Sequence, residues 1–477
     1  MDYLAPRSVS NTGYEKEAFI MTKKRLNPAC ADYRDFIKEY LLQIIGIPSH
    51  ENNIRVVDEY IPTKSPVFYV SEEKRVYFAD YNKALFYVYS SSEIDLDNIK
   101  AAINIVQIYF KIARYKFDGA GTTVYNRYPS DAMRIRSNES AVQEGICRWI
   151  IGSNNPRIAE LIHRLENWSV KTYEGKKVTF GFIINPDEQS SFASKEYGTW
   201  LDFLQSDYSA TLTDCIHSAI MLDKNCDFVR YVSLTEGNQI QNYTLGGLPY
   251  RFAGIIQNHV IDKCIGIFLL SNGDILLSKN GELRFVKRNL KWLNVSFGAF
   301  RNAIKSYVRD AILQVSIYSS VLDVSFAHTG GIISIVRDID TLKSSGILDD
   351  VDYLLNGMDY SILKKSKQDD NPNMTVKEIT PILLKRAAIS SLIANNNFQC
   401  LDRKLRVELI SMDGACIIDT KGNICASGAI IKNDSGSSEG GRGAAARKLS
   451  NYGIAIKIST DGYVEIFFHK KIRFSIK

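Results

Sequence analysis

Apolar residues recur along the chain at two spacings, and the alternation of the two predicts a fold of helices and strands. Apolar positions three and four residues apart, the spacing of a helix, occur at 98–117, 141–165, 300–321 and 379–395. Runs rich in β-branched and aromatic residues, which are typical of strands, occur at 66–70, 84–89, 178–184 and 328–336. The predicted fold class is therefore α+β.

The strongest local pattern lies at 265–286. Three short apolar runs there are separated by Ser-Asn-Gly-Asp at 271–274 and by Asn-Gly at 280–281. Both are turn sequences found in antiparallel hairpins. We therefore expect a three-stranded antiparallel meander.

These patterns divide the 477 residues into three parts. Residues 1–35 are mixed and polar and are interpreted as a leader. Residues 36–297 are interpreted as a separate N-terminal α+β region of one or two subdomains. This region carries no chemical motif that we can name, and its position favours a sensor or regulatory role. Residues 298–477 are predicted to form a domain with a mixed sheet flanked by helices. The polar stretch 359–378 within it is interpreted as an exposed insertion.

The charge balance narrows the range of partners. The chain has 59 Lys and Arg against 53 Asp and Glu, a net charge of +6. Over this length the surplus is too small to indicate a general nucleic-acid or membrane binder. Most of the positive surplus lies from residue 298 onward, where there are 24 basic and 19 acidic residues. This asymmetry favours an anionic ligand in the C-terminal part, although a solvated surface explains it equally well.

Cysteine and histidine usage favours a reducing compartment. None of the eight Cys forms a Cys-x-x-Cys pair, and none of the six His is spaced like a zinc ligand set. No apolar run approaches the ~18–20 residues that cross a bilayer, and the first residues do not resemble a secretion signal. We therefore expect a cytoplasmic protein with reduced thiols and with no membrane or nucleic-acid partner.

A first candidate site is Asp413-Gly414-Ala415, which precedes an apolar strand. The carboxylate of Asp413 is suited to a hard divalent cation such as Mg²⁺. The small residues Gly414 and Ala415 leave the backbone open to a ligand. By itself, however, Asp-Gly is a common turn dipeptide.

A second candidate site is the Gly-rich segment 440–443, which leads into an Ala-rich helix. Such a turn directs unpaired backbone N–H groups and the positive end of the helix dipole toward a bound anion. Arg442 adds a guanidinium group suited to phosphate oxygens. The segment is not a Walker A motif, because its spacing differs. Taken alone, such a Gly-rich segment is more often a plain linker.

Together the two segments resemble the diadenylate cyclase domain, also called the DisA N-terminal domain. Its hallmarks are Asp-Gly-Ala, present here at 413–415, and a downstream Gly-Thr-Arg-His-Arg, which corresponds to 440–444. Thr-Gly-Gly-Ile-Ile at 329–333 is similar to the family's Gly-Ala-Leu-Ile strand. The resemblance covers about 298–470. It implies synthesis of cyclic di-AMP from two ATP with Mg or Mn, by two protomers whose catalytic domains face each other in a homodimer or higher oligomer.

The resemblance also implies roles for individual residues. Asp413 would bind the metal and help activate the 3′-hydroxyl, and Arg442 would act with it in catalysis by holding the triphosphate. The other nucleotide-binding positions would be Gly414 and Ala415 at the ribose, Ile430 and Ile431 at adenine, Gly441 and Gly443 at the phosphates, and Ser459 at the end of the last strand of the site.

One departure from the family leaves the function open. The family's His and second Arg are replaced by Gly443 and Ala444, which removes charge-assisted contacts to phosphate. Arg447 and Lys448, one turn further on, are candidates to compensate. The alternative to a cyclase regulated by the N-terminal region is a degenerate cyclase domain that senses ATP or a cyclic dinucleotide without turnover. A purely structural or interaction protein is a further alternative.

Overall fold

The structure is a computed structural model, and it describes only part of the chain. The described residues are 28–47, 54–80, 83–90, 93–112, 116–117, 123–124, 130–152, 156–190, 204, 207–215, 217–233, 255–256, 259–349, 352–354, 376–393, 396–432 and 440–476. The predicted insertion 359–378 lies outside them except for its last three residues, as do residues 1–27 of the predicted leader.

The described helices are spread over the whole chain. They are α1 (Pro28–Phe36), α2 (Leu96–Ile112), α3 (Asp131–Ile151), α4 (Pro156–Ser169), α5 (Phe297–Ile304), α6 (Ala311–Ala327), α7 (Ile339–Ser344), α8 (Val376–Ile393), α9 (Arg403–Ser411) and α10 (Gly440–Leu449). Helix α1 continues through a π-helical turn (Ile37–Leu41) and a last α-helical turn (Leu42–Ile44). None of the helices in the described ranges is long and apolar enough to cross a bilayer.

The described strands form three main sheets and two short ribbons. A four-stranded sheet contains, in spatial order, β1 (Arg55–Val56), β4 (Ala84–Tyr89), β3 (Arg75–Ala79) and β2 (Val67–Val70). A seven-stranded sheet contains β11 (Phe228–Ser233), β10 (Ser218–Leu222), β9 (Phe180–Ile184), β12 (Ile265–Leu269), β13 (Ile275–Lys279), β14 (Glu282–Arg288) and β15 (Lys291–Asn294). A six-stranded sheet contains β18 (Ile424–Ala429), β17 (Ala415–Asp419), β16 (Gly331–Val336), β19 (Gly453–Ile458), β20 (Val464–Phe468) and β21 (Lys471–Ile476). The ribbons are β5 (Lys116–Phe117) with β6 (Thr123–Val124) and β7 (Thr172–Tyr173) with β8 (Lys176–Lys177).

The α+β fold class is confirmed, and so are most of the predicted strands. The segment 265–286 is an antiparallel meander of β12, β13 and β14. Strand 84–89 has the predicted bounds, and strands 66–70 and 178–184 are each slightly shorter than predicted. The strand predicted from 328 begins only at Gly331, because His328 ends α6 in the left-handed conformation, with φ of +56°.

Two predicted helices are each two helices in the structure. The pattern at 141–165 spans α3 and α4, which are separated at Gly152, a left-handed C-cap with φ of +76°. The pattern at 300–321 spans α5 and α6, and Asp310 caps α6 by accepting a hydrogen bond from the Leu313 N–H. In both cases a capping residue breaks an otherwise continuous apolar pattern. Residues 28–35, assigned to the leader, belong to α1 instead, where Tyr33 is buried.

The six-stranded sheet is mixed and has helices on both faces. Helices α6 and α9 cover one face, which Ile333 and Ile456 line. Helices α7 and α10 cover the other face, which Ile332 and Ala455 line. The alternation of neighbouring residues between the two faces is that of a strand buried on both sides.

The region before residue 298 is not separate in its packing, contrary to expectation. Both faces of the seven-stranded sheet are buried. Ile267 and Leu277 pack in the cluster that contains α3 and α4, whereas Phe268 and Leu276 pack in the cluster that extends into the six-stranded sheet. The two large sheets therefore share a hydrophobic core. Residue 298, where the C-terminal domain is predicted to begin, lies within α5 (Phe297–Ile304).

Arg288, at the end of β14, joins the two large sheets by polar contacts within this core. The side chain is 2% exposed. Its Nε and Nη2 donate to the Asp274 carboxylate at 2.6–3.1 Å. Its Nη1 donates to the Ser325 hydroxyl and to the Gly462 carbonyl oxygen, which belongs to the turn between β19 and β20. Because a buried guanidinium must be paired, this contact ties the meander to that turn.

We predict that Arg288→Met lowers the free energy of unfolding by about 3–5 kcal/mol, since it leaves the buried Asp274 carboxylate without its cation. The control is Arg230→Met, which removes an exposed pair with Glu188 and should change that free energy by no more than about 1 kcal/mol. Urea unfolding of both variants measures the difference. Equal losses in the two variants would contradict the role given to Arg288.

Candidate functional site

Strand direction brings the two candidate segments to one edge of the six-stranded sheet. Strands β16 and β17 are parallel, with Ile333 opposite Cys416, so both begin at this edge. Strands β18 and β19 are antiparallel to them and end at the same edge. The residues just outside the four strand ends therefore lie together. We call this edge the site edge, and it carries Gly330, Asp413, Ile430 and Ser459.

A close approach of backbones holds the site edge together. A methyl group built on Gly331 would lie 2.3 Å from the carbonyl oxygen of Ile410, the last residue but one of α9. Only glycine fits there, so α9 ends directly on the start of β16. A hydrogen bond of 3.0 Å between the hydroxyls of Thr329 and Ser411 lies at the same place. Asp413 follows two residues after Ser411.

Arg442 reaches the same turn from the opposite side. A methyl group built on Gly330 would lie 2.6 Å from the Arg442 Nη1 and 3.3 Å from the Ile458 carbonyl oxygen. The guanidinium group is therefore within about 6 Å of the end of β19. Gly330 itself is left-handed, with φ of +71°. Asp413 and Arg442 thus flank the Thr329–Gly330 turn.

Neither charged group is paired within the described part of the chain. The Asp413 carboxylate is exposed, and the Arg442 guanidinium is half-buried. No hydrogen bond or ion pair joins either side chain to another described residue. Such a carboxylate and such a guanidinium at one sheet edge suit an anionic ligand with a bound metal cation. The carboxylate would contact the cation, and the guanidinium would contact the anion.

The donor set at Asp413 fits a magnesium-like ion only if the ligand supplies most of the oxygens. Among the described residues no three His, Cys, Asp or Glu side chains lie close enough together to hold a metal. Mg²⁺ is commonly bound by one or two carboxylates, water and substrate phosphates. Asp413, as a single accessible carboxylate, fits that pattern and does not fit a metal site made only of protein side chains.

Helix α10 begins at the site edge with the Gly-rich segment. Gly441, Arg442 and Gly443 form its first turn, where backbone N–H groups have no partner within the helix. The region around Gly441 is open, because no described atom would lie within 4 Å of a methyl group built there. The predicted helix N-terminus is therefore present and is open at Gly441, whereas Gly443 is buried.

Arg447 and Lys448 do not replace the missing phosphate contacts. Both lie in the last turn of α10, away from its start. The Arg447 guanidinium donates to the Lys470 carbonyl oxygen, and the Lys448 amine donates to the Lys432 carbonyl oxygen. The idea that they compensate for Gly443 and Ala444 is not supported by these contacts.

The two isoleucines expected at adenine differ in exposure. Ile430 is 57% exposed, whereas Ile431 is 8% exposed and packs with Leu348 and Tyr353. Adjacent residues of an extended segment point to opposite sides, which explains the difference. Ile430 alone of the pair offers apolar surface to a base. Ala415 is also fully buried, so that only its backbone can face a ligand.

Ser459 lies directly after β19, and its position is linked to Arg288. The Ser459 hydroxyl accepts a hydrogen bond of 3.1 Å from the Tyr463 N–H, and the Ser459 carbonyl oxygen accepts one from the Gly462 N–H. The Gly462 carbonyl oxygen is the group that Arg288 holds. The N-terminal meander thus contacts the turn that carries one candidate ligand residue.

Sequence reasoning missed Lys385, on α8. Its Nζ donates to the Gly428 carbonyl oxygen at 3.1 Å, at the end of β18. No local pattern marks this lysine as a site residue. It is one of several basic residues in α8, and it lies 28 positions before Asp413. Only the packing of α8 over the sheet shows its place at the site edge.

The cysteines near the site are not candidates for chemistry. All eight cysteines are described, and none forms a disulfide. Burial raises the pKa of Cys416 and of Cys425 to about 12. Both therefore remain protonated thiols at neutral pH, which are poor nucleophiles and poor metal ligands.

Comparison with known proteins adds little. The chain matches no family model, and it matches no curated protein. Among the solved structures, one match is a double mutant of DacA from Staphylococcus aureus, which is 14% identical with a TM-score of 0.20. The match covers 35% of this chain and 89% of that chain. A TM-score this low carries no argument about fold or function.

We predict that Gly330→Ala lowers the free energy of unfolding by about 1–3 kcal/mol, because the residue is left-handed and its new methyl group meets Arg442. The control is Gly441→Ala, which places the methyl group in open space inside a helix and should leave stability unchanged or raise it by up to about 1 kcal/mol. Urea unfolding measures both. A Gly330→Ala variant as stable as the unchanged protein would contradict this geometry.

Proposed function

We propose that the protein is a diadenylate cyclase, which condenses two ATP into cyclic di-AMP and two pyrophosphates. In each half-reaction the 3′-oxygen of one nucleotide attacks the α-phosphorus of the other, the bond to the bridging oxygen of pyrophosphate breaks, and the 3′-hydroxyl proton is released. Two such attacks form the two phosphodiester bonds of the ring. The observation that carries the proposal is the position of Asp413 and Arg442 on either side of one turn, with both charges unpaired in the described part of the chain.

The residues at the site edge are suited to phosphoryl transfer, which requires positioning and charge stabilisation more than covalent chemistry. Arg442 and the first N–H groups of α10 would hold the triphosphate and stabilise the departing pyrophosphate. The Asp413 carboxylate would orient the 3′-hydroxyl of the attacking nucleotide. A Mg or Mn ion bound there would neutralise phosphate charge.

The other site residues would bind the rest of the nucleotide. The backbone at Gly414 and Ala415 would lie against the ribose, and Ile430 would provide apolar contact for adenine. Gly441 would allow close approach of the phosphates, and Ser459 would add a hydroxyl at the end of β19. Gly443 is left out of this role, because it is buried. Ile431 is left out of this proposal, because it is buried in the core.

The reaction requires two sites, so we propose that two protomers pair with their site edges facing each other. The accessible position of Asp413 and the exposed Ile430 are compatible with such a face. Regulation by the N-terminal region has a physical route in this proposal, because Arg288 holds the turn that begins at Ser459. A shift of the meander would move this turn and, with it, Ser459 at the nucleotide.

Nucleotide binding without turnover is the second candidate function. Gly443 and Ala444 favour it, since they stand where the diadenylate cyclase family has His and a second Arg. Loss of a charge-assisted hydrogen bond to phosphate weakens an interaction by about 1.5–3 kcal/mol. A site without that contact would bind ATP but stabilise the transition state less.

We predict that the full-length protein, incubated with ATP and Mn²⁺ or Mg²⁺, forms cyclic di-AMP and that Asp413→Asn lowers the rate by at least about 100-fold. Asparagine keeps the shape of the side chain and removes the charge that a cation needs. The control is Asp340→Asn, at an exposed carboxylate near the opposite edge of the sheet, which should leave the rate unchanged. Mass spectrometry of the product measures the rate.

Unfolding curves should show that both variants keep their fold. Retained turnover in Asp413→Asn would overturn the role given to this carboxylate. Binding of ATP by the unchanged protein with no cyclic product under any of these conditions would overturn the cyclase proposal in favour of the second candidate.

A further inference from the structure

We propose that the Lys385 ammonium group is a second phosphate-binding cation of the site, opposite Arg442. The inference rests on the proposed function for the identity of the ligand, a nucleoside triphosphate. It goes beyond that function by assigning a residue outside both candidate motifs. Helix α8 reaches the site edge at Lys385.

Lys385 lies beside the Asp413 backbone. A methyl group built on Gly428 would lie 2.7 Å from the Lys385 Nζ and 3.3 Å from the Asp413 carbonyl oxygen, so the amine and that oxygen are within about 6 Å of each other. Gly428 is left-handed, with φ of +63°. A methyl group built on the neighbouring Gly414 would meet the same strand at 2.5 Å. The two glycines thus allow β18, the start of β17 and the lysine to lie close together.

The amine keeps donors for a ligand. An ammonium group has three N–H donors, and within the described residues Lys385 uses one, toward the Gly428 carbonyl oxygen. The residue as a whole is exposed. A lysine that served only to anchor α8 would need no more than that single contact. Here the anchor also fixes a positive charge close to the backbone of Asp413, the residue that carries the candidate catalytic carboxylate.

The two cations occupy opposite flanks of the site edge. Lys385 contacts the end of β18, and Arg442 lies against Gly330 near the end of β19. Strands β17 and β16, with Asp413 at the start of β17, lie between these flanks. A nucleotide bound across this edge would have a cation on each flank. Lys385 would therefore supply positive charge that the Gly443 and Ala444 replacements remove.

The test measures binding to full-length protein by titration calorimetry with α,β-methylene-ATP, which cannot release pyrophosphate, in the presence of Mg²⁺. Adenosine is the second probe, because it has no phosphate. We expect Lys385→Gln to weaken α,β-methylene-ATP binding about tenfold or more and to leave adenosine binding unchanged. The dependence of α,β-methylene-ATP binding on NaCl concentration should become shallower. Lys385→Arg should restore most of the affinity.

The matched control is Lys421→Gln, which removes an exposed lysine from the turn between β17 and β18 at the opposite edge of the sheet. It should change binding of neither probe. An unchanged α,β-methylene-ATP affinity in Lys385→Gln would overturn the inference. A parallel loss of adenosine affinity would overturn it as well, because it would indicate a structural role for the lysine.

The inference and the proposed function can fail separately. Binding that depends on Lys385, without formation of cyclic di-AMP from ATP, would contradict the cyclase proposal and support the inference. Formation of cyclic di-AMP at the same rate and ATP affinity in Lys385→Gln would support the cyclase proposal and contradict the inference.

Discussion

The parallel pairing of β16 with β17 is the constraint on which the site depends. Parallel strands cannot be joined by a tight turn, so the chain between them must cross the sheet, and it does so through helices that include α9. Gly331 lets the end of α9 lie against the start of β16. The crossover therefore delivers Asp413 beside the Thr329–Gly330 turn, where Arg442 also lies. A shift in this pairing by one residue would turn every side chain of β17 to the opposite face.

The buried Arg288 extends this dependence to the region before residue 298. Its contacts join Asp274 of the meander to the turn that follows Ser459. Nearby, the Asn272 amide donates to the Phe326 carbonyl oxygen and contacts the His328 ring, just before the Thr329–Gly330 turn. The meander thus touches two of the segments that end at the site edge. The seven-stranded sheet is part of the framework of the site as well as a neighbouring region.

Short sequence patterns predicted the meander and the start of α10 correctly. The errors arose at a helix cap and at residues whose environment is set by distant segments. The turn sequences of the meander and the Gly-rich start of α10 are short-range signals, and both features are present. The break at Asp310 was missed because apolar spacing continues across a capping residue. The burial of Ile431 and the position of Lys385 depend on contacts between distant segments, which no window of sequence contains. The resemblance to the diadenylate cyclase domain implied that Asp413 and Arg442 share a site, and strand direction explains why both lie beside the Thr329–Gly330 turn.

If Asp413, Arg442 and the ends of four strands face one nucleotide, all of them should respond when it binds. Hydrogen–deuterium exchange of the full-length protein with and without α,β-methylene-ATP and Mg²⁺ measures that response. We expect backbone amides near Gly330, Gly414, Ile430 and Arg442 to become protected together, while amides at the opposite edge, near Lys421, do not change. Protection confined to one of these segments, or located elsewhere in the chain, would show that they do not form one nucleotide site.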